Sequence, residues 1–344
     1  MKKLSRTQGG HDAKGLDSTM SRPLKKPLLV STALGFFVFS FSISLSNCLA
    51  QSVSAVDPPR SVTNQETACI GNAANVKNVA QPILATALSS PLSGSFTIKV
   101  MNEYITRGIV VQGEGVTLQP ILDLNYRLYH FTGFFNDLLL TTEFWNDISS
   151  NTKVSAAPTS TPYWTETLIR GGLSLGFAKY FLASTDFTQF LTPSNGYHEG
   201  RYIKTILSCN DTGLIFPNFS FRPQFTFLYE LPDLGQPGLQ PHAWWFEPGL
   251  TPNYNLFATS RYPVNFAIPF RIGLGRQFYN GTPYGFFSFG PQLSFPLAFI
   301  SPSFGKWNLL ASYTYYNLGT TTAAIAPEGN HNQNLFTAAL GLVF

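Results

Sequence analysis

The stretch Asn334-Leu335-Phe336-Thr337-Ala338-Ala339-Leu340-Gly341-Leu342-Val343-Phe344 decides the fold of this chain. Every second residue is apolar, and this face consists of Phe336, Ala338, Leu340, Leu342 and Phe344. The residues between them are small or polar, apart from Val343 and Leu335. A period of two indicates a β-strand with one apolar face. Because an open edge strand pairs readily with other chains, the pattern favours a sheet that closes on itself, as a sheet in a bilayer must.

A basic and then apolar segment near the N-terminus predicts export. Three cations, at Arg22, Lys25 and Lys26, precede an apolar run over Leu28–Leu45, and small residues follow. This is the order of a secretory signal peptide, which we expect over residues 1–50. Met20 begins a well-formed signal by itself, so residues 1–19 fit an overlong start. The alternative is a single transmembrane anchor, since the run is long enough.

Residues 51–94 are polar and show little alternation. We expect a disordered periplasmic leader here; the alternative is a plug that enters the barrel. Cys69 lies in this leader and Cys209 in a candidate strand. A disulfide between them is permitted in an oxidising compartment, and two unrelated thiols fit equally well.

The composition favours a membrane barrel over its main competitor, a soluble β-sandwich. Aromatic residues form 15% of the chain and charged residues only 12%, which is typical of a barrel whose outer band faces lipid. A soluble sandwich usually carries more surface charge. The net charge of +4 is small and includes the basic N-terminal segment, so nucleic acid is not an expected partner.

We therefore expect an all-β fold over residues 95–344, a transmembrane antiparallel up-and-down β-barrel of about 12 strands in the bacterial outer membrane. The alternation is weak in the fifth, sixth and eighth of the candidate strands. In chain order the candidates are Phe96–Val110, Val116–Tyr129, Leu138–Asp147, Thr165–Leu175, Tyr180–Phe190, Arg201–Cys209, Phe219–Leu231, Ala243–Tyr254, Val264–Gln277, Phe286–Leu297, Trp307–Asn317 and Asn334–Phe344.

Prolines inside candidate strands complicate this interpretation. Pro120, Pro223, Pro269 and Pro291 each remove a donor from the hydrogen-bond ladder. They either count against a continuous barrel or mark bulges and strand ends. The loop lengths support the barrel, because most odd-numbered connections are longer than most even-numbered ones, as expected for outer loops and periplasmic turns.

The polar faces of the strands collect charges of both signs. A Lys or Arg on the lipid face near the bilayer midplane would cost about 2–4 kcal/mol, so we expect these charges to face the lumen. Twelve strands give a backbone radius of roughly 12 Å, which leaves room for a narrow pore. The expected lumen-facing residues are Lys99, Glu103, Arg107, Asp123, Arg127, Glu143, Asp147, Glu166, Arg170, Asp186, Arg222, Glu230 and Arg271.

The apolar face of the last strand also resembles the signal that outer-membrane barrels present to their insertion machinery. The resemblance implies that Phe336, Leu340, Leu342 and Phe344 contact that machinery. The expected partners are therefore the lipid bilayer, the insertion machinery and small polar solutes.

Signs of catalysis are weak. The sequence contains no phosphate-binding loop, dinucleotide fingerprint, zinc spacing or nucleophile elbow, so we expect no cofactor and no metal. A lipid hydrolase embedded in the barrel would need a Ser and a His on neighbouring strands. The histidines lie mostly in expected loops, and only His130 closes a strand. The sequence thus favours a protein that is not an enzyme.

Several short motifs lie along residues 95–344. The first is Asn102-Glu103-Tyr104-Ile105-Thr106-Arg107-Gly108-Ile109, which contains Tyr-x-x-Arg-Gly and is followed by Leu118-Gln119-Pro120. Others are Leu191-Thr192-Pro193 before Arg201-Tyr202, and Tyr313 to Gly319. Together they resemble an uncharacterised bacterial family of porin-like outer-membrane β-barrels with a Tyr-x-x-Arg-Gly signature in the first strand. The resemblance implies a porin-like barrel and supplies no catalytic residues. At Arg107-Gly108 the residues themselves indicate a lumen-facing cation and a residue free to turn, or a tight hairpin, or both.

Two functions follow as expectations. The first is a porin-like channel for passive diffusion of small polar solutes. The alternative is a closed barrel that acts as a structural or surface-binding protein without transport.

Overall fold

The computed structural model describes residues 91–150, 163–193, 200–232, 242–260 and 262–344. The expected signal peptide, Cys69 and nearly all of the expected leader lie outside the described residues. The described chain forms a closed, antiparallel β-barrel of 12 strands, which confirms the predicted fold class. Among the described residues, no helix is long and apolar enough to cross a membrane.

The described chain has eighteen β-strands. The first nine are β1 (Leu92–Met101), β2 (Tyr104–Thr106), β3 (Ile109–Gln112), β4 (Thr117–His130), β5 (Phe135–Ser149), β6 (Trp164–Phe177), β7 (Phe181–Leu191), β8 (Gly200–Cys209) and β9 (Phe219–Ser220). The others are β10 (Gln224–Glu230), β11 (Trp244–Leu250), β12 (Asn253–Leu256), β13 (Val264–Ala267), β14 (Phe270–Leu274), β15 (Tyr284–Phe289), β16 (Gln292–Pro296), β17 (Lys306–Leu318) and β18 (Asn332–Val343). Short helical turns cover Pro302–Phe304, Thr320–Ala324 and Pro327–Gly329.

The barrel closes between its first and last strands. β1 pairs with β4 on one side and with β18 on the other, and Ile98 lies opposite Leu340. The ring continues through β5, β6, β7, β8, β10, β11, β14, β15 and β17, each hydrogen-bonded to the next. Closure leaves no long unpaired edge, which satisfies the backbone of every spanning strand in lipid.

The connections divide between two rims. The loop rim is the edge of the wall at which β1, β5, β7, β10, β14 and β17 end, and it carries the described connections 102–116, 275–283 and 319–331. The turn rim carries the described connections 131–134, 178–180, 210–218 and 297–305, together with the start of β1 and the end of β18. In outer-membrane barrels the short turns are periplasmic and the long loops are external, so the loop rim faces the outside of the cell.

Burial alternates along the wall strands with a period of two. In β18 the buried residues are Gln333, Leu335, Thr337, Ala339 and Gly341, and the exposed ones are those between them. The exposed side of the wall is apolar, as at Phe336, which is 58% exposed, and at Leu340. A closed sheet with an apolar outside and a polar inside fits a lipid environment and no other.

Four of the wall positions are each built from two collinear segments: β9 with β10, β11 with β12, β13 with β14, and β15 with β16. Each break contains a proline, and these four prolines, which we call the proline belt, are Pro223, Pro252, Pro269 and Pro291. The breaks lie side by side, because Thr251 N–H donates to Phe221 O at 2.8 Å and Ile268 N–H donates to Pro252 O at 2.9 Å. The prolines therefore mark strand ends, one of the two outcomes that the sequence allowed, whereas Pro120 stays inside β4 opposite Ile98.

The structure corrects the first candidate strand. It was predicted as continuous over Phe96–Val110, but β1 ends at Met101 and the chain turns into a separate hairpin of β2 and β3. Arg107 and Gly108 have φ angles of 52° and 76°, and Thr106 pairs with Ile109. Positive φ at both central residues defines the two-residue turn that best matches the twist of a hairpin. The chain therefore pairs with itself here instead of extending the wall.

Candidate functional site in the barrel lumen

The β2–β3 hairpin lies inside the barrel near the loop rim, and we call residues 102–116 the lumen hairpin. Its apolar residues Ile105, Val110 and Val111 are buried. They belong to one cluster with inward side chains from strands around the ring. The wall residues of this cluster are Met101, Ile121, Trp145, Tyr202, Leu228, Trp245, Phe286, Tyr316, Leu318 and Leu335. Because these come from opposite sides of the ring, the hairpin fills the lumen at this level.

Tyr104 anchors one side of the lumen hairpin. Its hydroxyl donates a hydrogen bond of 2.9 Å to Glu166 on β6, and its ring lies 5.5 Å from that of Trp145 on β5. Burial and the Glu166 carboxylate raise the pKa of Tyr104 well above its usual range. The hydroxyl therefore stays protonated and keeps donating at any physiological pH.

Arg107, at the turn of the hairpin, anchors it to a second part of the wall. Its Nη1 lies 3.0 Å from Glu230 Oε1 on β10, and both side chains are 15% exposed. Its guanidinium carbon lies 5.3 Å from the ring centre of Tyr202 on β8 and 5.2 Å from that of Phe278. Burial alone would lower the pKa of Arg107, but Glu230 and the neighbouring Tyr and Glu side chains raise it overall.

The backbone of the turn is also held in place. Tyr279 donates a hydrogen bond of 2.8 Å to the carbonyl of Arg107, and Trp245 in turn donates to the Tyr279 hydroxyl at 2.6 Å. Gly108 packs so closely that an added Cβ would lie 2.6 Å from Phe286 Cδ1. Only glycine combines the positive φ with this approach, which explains why residue 108 is a glycine.

Inward charged side chains form a network that runs from the level of the hairpin, at Asp147, toward the turn rim. Arg170 pairs with Glu143 and lies 3.2 Å from Asp186 Oδ1. Asp147 accepts hydrogen bonds from Gln119, at 2.9 Å, and from Thr165. The carboxylates of Asp123, Glu143 and Asp147 surround the buried ammonium of Lys99. Each charge is thus compensated across neighbouring strands, as burial in a narrow lumen requires.

A second part of this network lies beside the proline belt. Arg271 Nε lies 3.5 Å from Glu247 Oε1, and both side chains are buried. Arg271 also donates to the carbonyls of Leu250 and Phe270, at 3.3 Å and 3.0 Å. These carbonyls flank two of the belt prolines, so Arg271 supplies donors where the ladder is interrupted. Lys204 on β8 is buried within electrostatic range of Glu247 and Asp186.

The expected lumen residues fall into three groups. Lys99, Glu143, Asp147, Glu166, Arg170, Asp186 and Arg271 are buried on inward faces of the wall, and Asp123, Arg127 and Glu230 are half-buried on the same faces. Glu103 and Arg107 belong to the lumen hairpin and not to the wall, which corrects their expected place in the first strand. Arg222 lies in the break between β9 and β10, with a φ of 45°.

Sequence reasoning missed Lys204 and Glu247, which lie on the sixth and eighth candidate strands, where the alternation is weak. It also missed the aromatic partners of Arg107, because the contacts join distant parts of the chain.

Of the residues expected to contact the insertion machinery, Phe336, Leu340 and Phe344 are exposed and Leu342 is half-buried on the same outward face. Cys209 is a buried thiol at the end of β8.

The closed wall, its apolar outside and its charged inside define a bacterial outer-membrane β-barrel. Among solved structures, the chain is similar to an outer-membrane channel from Pseudomonas putida F1, with 11% identity and a TM-score of 0.43 over 75% of this chain and 97% of that chain. It is similar to the β domain of the Bordetella autotransporter BrkA, with 10% identity and a TM-score of 0.41 over 73% of this chain and 98% of that chain. It is also similar to LpxR from Salmonella typhimurium, with 10% identity and a TM-score of 0.39 over 73% of this chain and 100% of that chain. No protein-family model and no curated protein matches the sequence.

Proposed function

We propose that the protein is an outer-membrane channel for passive diffusion of small polar solutes, and that the lumen hairpin closes it in this conformation. The main support for the proposal is that a loop, and not the wall, closes the lumen. The hairpin belongs to a loop-rim connection, and its strands pair with each other and not with the strand ladder of the wall. A loop can leave the lumen without breaking the wall ladder, whereas a wall side chain cannot.

The size and lining of the wall support the same proposal. Twelve strands enclose a backbone radius of roughly 12 Å, and inward side chains take up about half of it. Below the hairpin, the lumen is lined by the ion pairs of Arg170 and Arg271 and by small polar residues such as Ser174, Ser184 and Ser208. A lining of this kind passes hydrated solutes, and the nearly balanced charges favour no single ion sign.

The test removes the hairpin and keeps the wall. Met101 on β1 is paired with Thr117 on β4, so a two-residue Asn-Gly turn can replace residues 102–116. In planar bilayers, we expect rare openings for the wild-type protein and large, discrete conductance steps for the variant. The matched control lacks residues 298–303 of a turn-rim connection and should conduct like the wild type.

A folded but silent hairpin-free variant would instead favour the second candidate, a closed structural or surface-binding barrel. The buried ion pairs of Arg170 and Arg271 are the observation in favour of that candidate. Resistance of the barrel to unfolding in cold sodium dodecyl sulfate shows that a silent variant is folded. A plugging role for residues 51–94 stays a prediction. Because Leu92 to Gly94 belong to β1, the test deletes only residues 51–90, and this deletion should change conductance only if these residues enter the lumen.

Three finer statements belong to the proposal. It assigns no catalytic step to the protein. It places the outward face of β18 in contact with the barrel-insertion machinery. It also keeps the resemblance to the porin-like family with the Tyr-x-x-Arg-Gly signature, whose Tyr104, Arg107 and Gly108 are the three anchors of the lumen hairpin.

A further inference from the structure

Arg107 lies in a cradle that is built entirely by other parts of the chain. Glu230 comes from β10, Tyr202 from β8, and Phe278 from the 275–283 connection of the loop rim. The carboxylate lies 3.0 Å from the guanidinium, and the two ring centres lie 5.3 Å and 5.2 Å from its carbon. The hairpin supplies only the cation, so the cradle remains on the wall and its loop when the hairpin moves away.

The chemistry of the cradle is that of an organic-cation site. A guanidinium binds a carboxylate through directed, charge-assisted hydrogen bonds, and its weakly hydrated faces stack on aromatic rings. Carboxylate and aromatic faces around one cation are also the arrangement by which proteins recognise free alkylated cations. Arg107 satisfies all three groups at once, as a free guanidinium compound would.

The pair is reachable from solvent. The side chains of Arg107 and Glu230 are each 15% exposed, whereas the hairpin residue Val110 is fully buried. The other anchors of the hairpin, which are Tyr104 to Glu166, Tyr279 to the Arg107 carbonyl and Gly108 to Phe286, do not involve the charge of Arg107. A competing cation therefore reaches the ion pair at a partly exposed edge, where Tyr202 belongs to the buried cluster and Phe278 packs against it.

We propose that Glu230, Tyr202 and Phe278 form a binding site for small guanidinium compounds, which Arg107 occupies as an internal ligand in the closed conformation. A solute that takes the place of Arg107 releases the turn of the lumen hairpin and favours opening. The opening step rests on the proposed channel function, and the binding site rests on the cradle alone.

The binding test uses methylguanidinium chloride and the full-length protein folded in detergent micelles. We expect R107A, whose cradle is vacant, to bind methylguanidinium in isothermal titration calorimetry at least about tenfold more tightly than the wild type, because no internal ligand competes. Methylurea, which has a similar shape and no charge, should not bind. Adding E230Q to R107A should weaken binding by about tenfold or more, whereas adding E114Q, at an exposed carboxylate of the same connection, should leave it unchanged.

Folded R107A that does not bind methylguanidinium, or R107A/E230Q that binds it as well as R107A, would overturn the proposal. A measurement on the wild-type protein covers the case in which R107A does not fold. Saturating methylguanidinium should raise deuterium uptake of residues 104–112, and methylurea should not. Equal uptake with both compounds also overturns the proposal.

Conductance separates this inference from the proposed function. Methylguanidinium should raise the opening frequency of the wild-type protein in planar bilayers. If R107A binds methylguanidinium but no variant conducts, including the hairpin-free one, the binding site is supported and the channel function is refuted. If the hairpin-free variant conducts but folded R107A does not bind methylguanidinium, the channel function is supported and the binding site is refuted.

Discussion

At the scale of single residues, Arg271 links the charge network to the weakest part of the wall. It faces Glu247 and donates to two carbonyls and to Thr251 Oγ1, the last at 3.2 Å. Its guanidinium crosses Gly249, where an added Cβ would lie 2.4 Å from Nη1. The Arg271 side chain therefore forms an ion pair and also donates hydrogen bonds to the carbonyls beside the proline belt.

Replacing Arg271 with Met should lower the free energy of unfolding by about 3–5 kcal/mol, because Glu247 would stay buried without its nearest ion-pair partner. Urea unfolding of the barrel in lipid vesicles measures this. R271M/E247M should recover much of the loss, since the uncompensated charge is then gone. A double variant as unstable as R271M would assign the loss to the unsatisfied carbonyls instead.

Gly108 offers a second test at this scale. G108A has to place a methyl group at positive φ, 2.6 Å from the Phe286 ring. We expect this to destabilise the docked hairpin by about 1–2 kcal/mol and to raise the opening frequency in bilayers. G213A is the matched control, because Gly213 also has a positive φ, of 78°, but an added Cβ would have nothing within 4 Å. Equal conductance of the two variants would argue against a docked turn as the closing element.

At the scale of elements, the lumen hairpin and the split strands show where pattern reading succeeds and fails. Twelve wall positions follow from alternation, but the first candidate strand merged β1 with β2 because its apolar spacing continues past Met101. A period of two shows which face of the sheet each residue lies on, but it does not show which other strand a given strand pairs with. The prolines carried the signal for the strand breaks, and only the pairing of neighbouring strands shows that the four breaks lie side by side.

The lumen hairpin should respond to pH through Glu103. Burial raises the pKa of Glu103 to about 7 from its ordinary value of 4.5. The raised pKa means that the docked hairpin holds the proton of Glu103 more tightly than the released hairpin does. The protonated carboxyl therefore favours docking below about pH 4.5, and this contribution is lost as the pH rises from about 4.5 to about 7. Opening should therefore become more frequent between pH 5 and pH 8, as measured in bilayers at these two values.

E103Q is the control for this prediction. It cannot ionise, so its opening frequency should vary less between the two pH values than that of the wild type. An unchanged pH dependence in E103Q would assign the response to other titrating groups.

At the scale of the whole molecule, stability depends on which side of the wall meets lipid. Leu340 is 38% exposed on the outer face and lies between Ile98 of β1 and Leu309 of β17. L340R should cost up to about 4 kcal/mol, because it places a cation on the lipid face and the cost grows toward the bilayer midplane. N332R, at the loop-rim end of the same strand, should cost at most about 1 kcal/mol. Unfolding in vesicles measures both, and equal costs would contradict the lipid-facing assignment.

The sequence by itself determined the sidedness of the wall and the number of strand positions, because alternation is a local property that each strand carries along its own length. It also supplied nearly all the charges that line the lumen. The tertiary structure alone decided that residues 102–116 fold inward and that Arg107 meets Glu230, 123 positions further along the chain. Such contacts depend on which strands become neighbours when the barrel closes, and no local period encodes that.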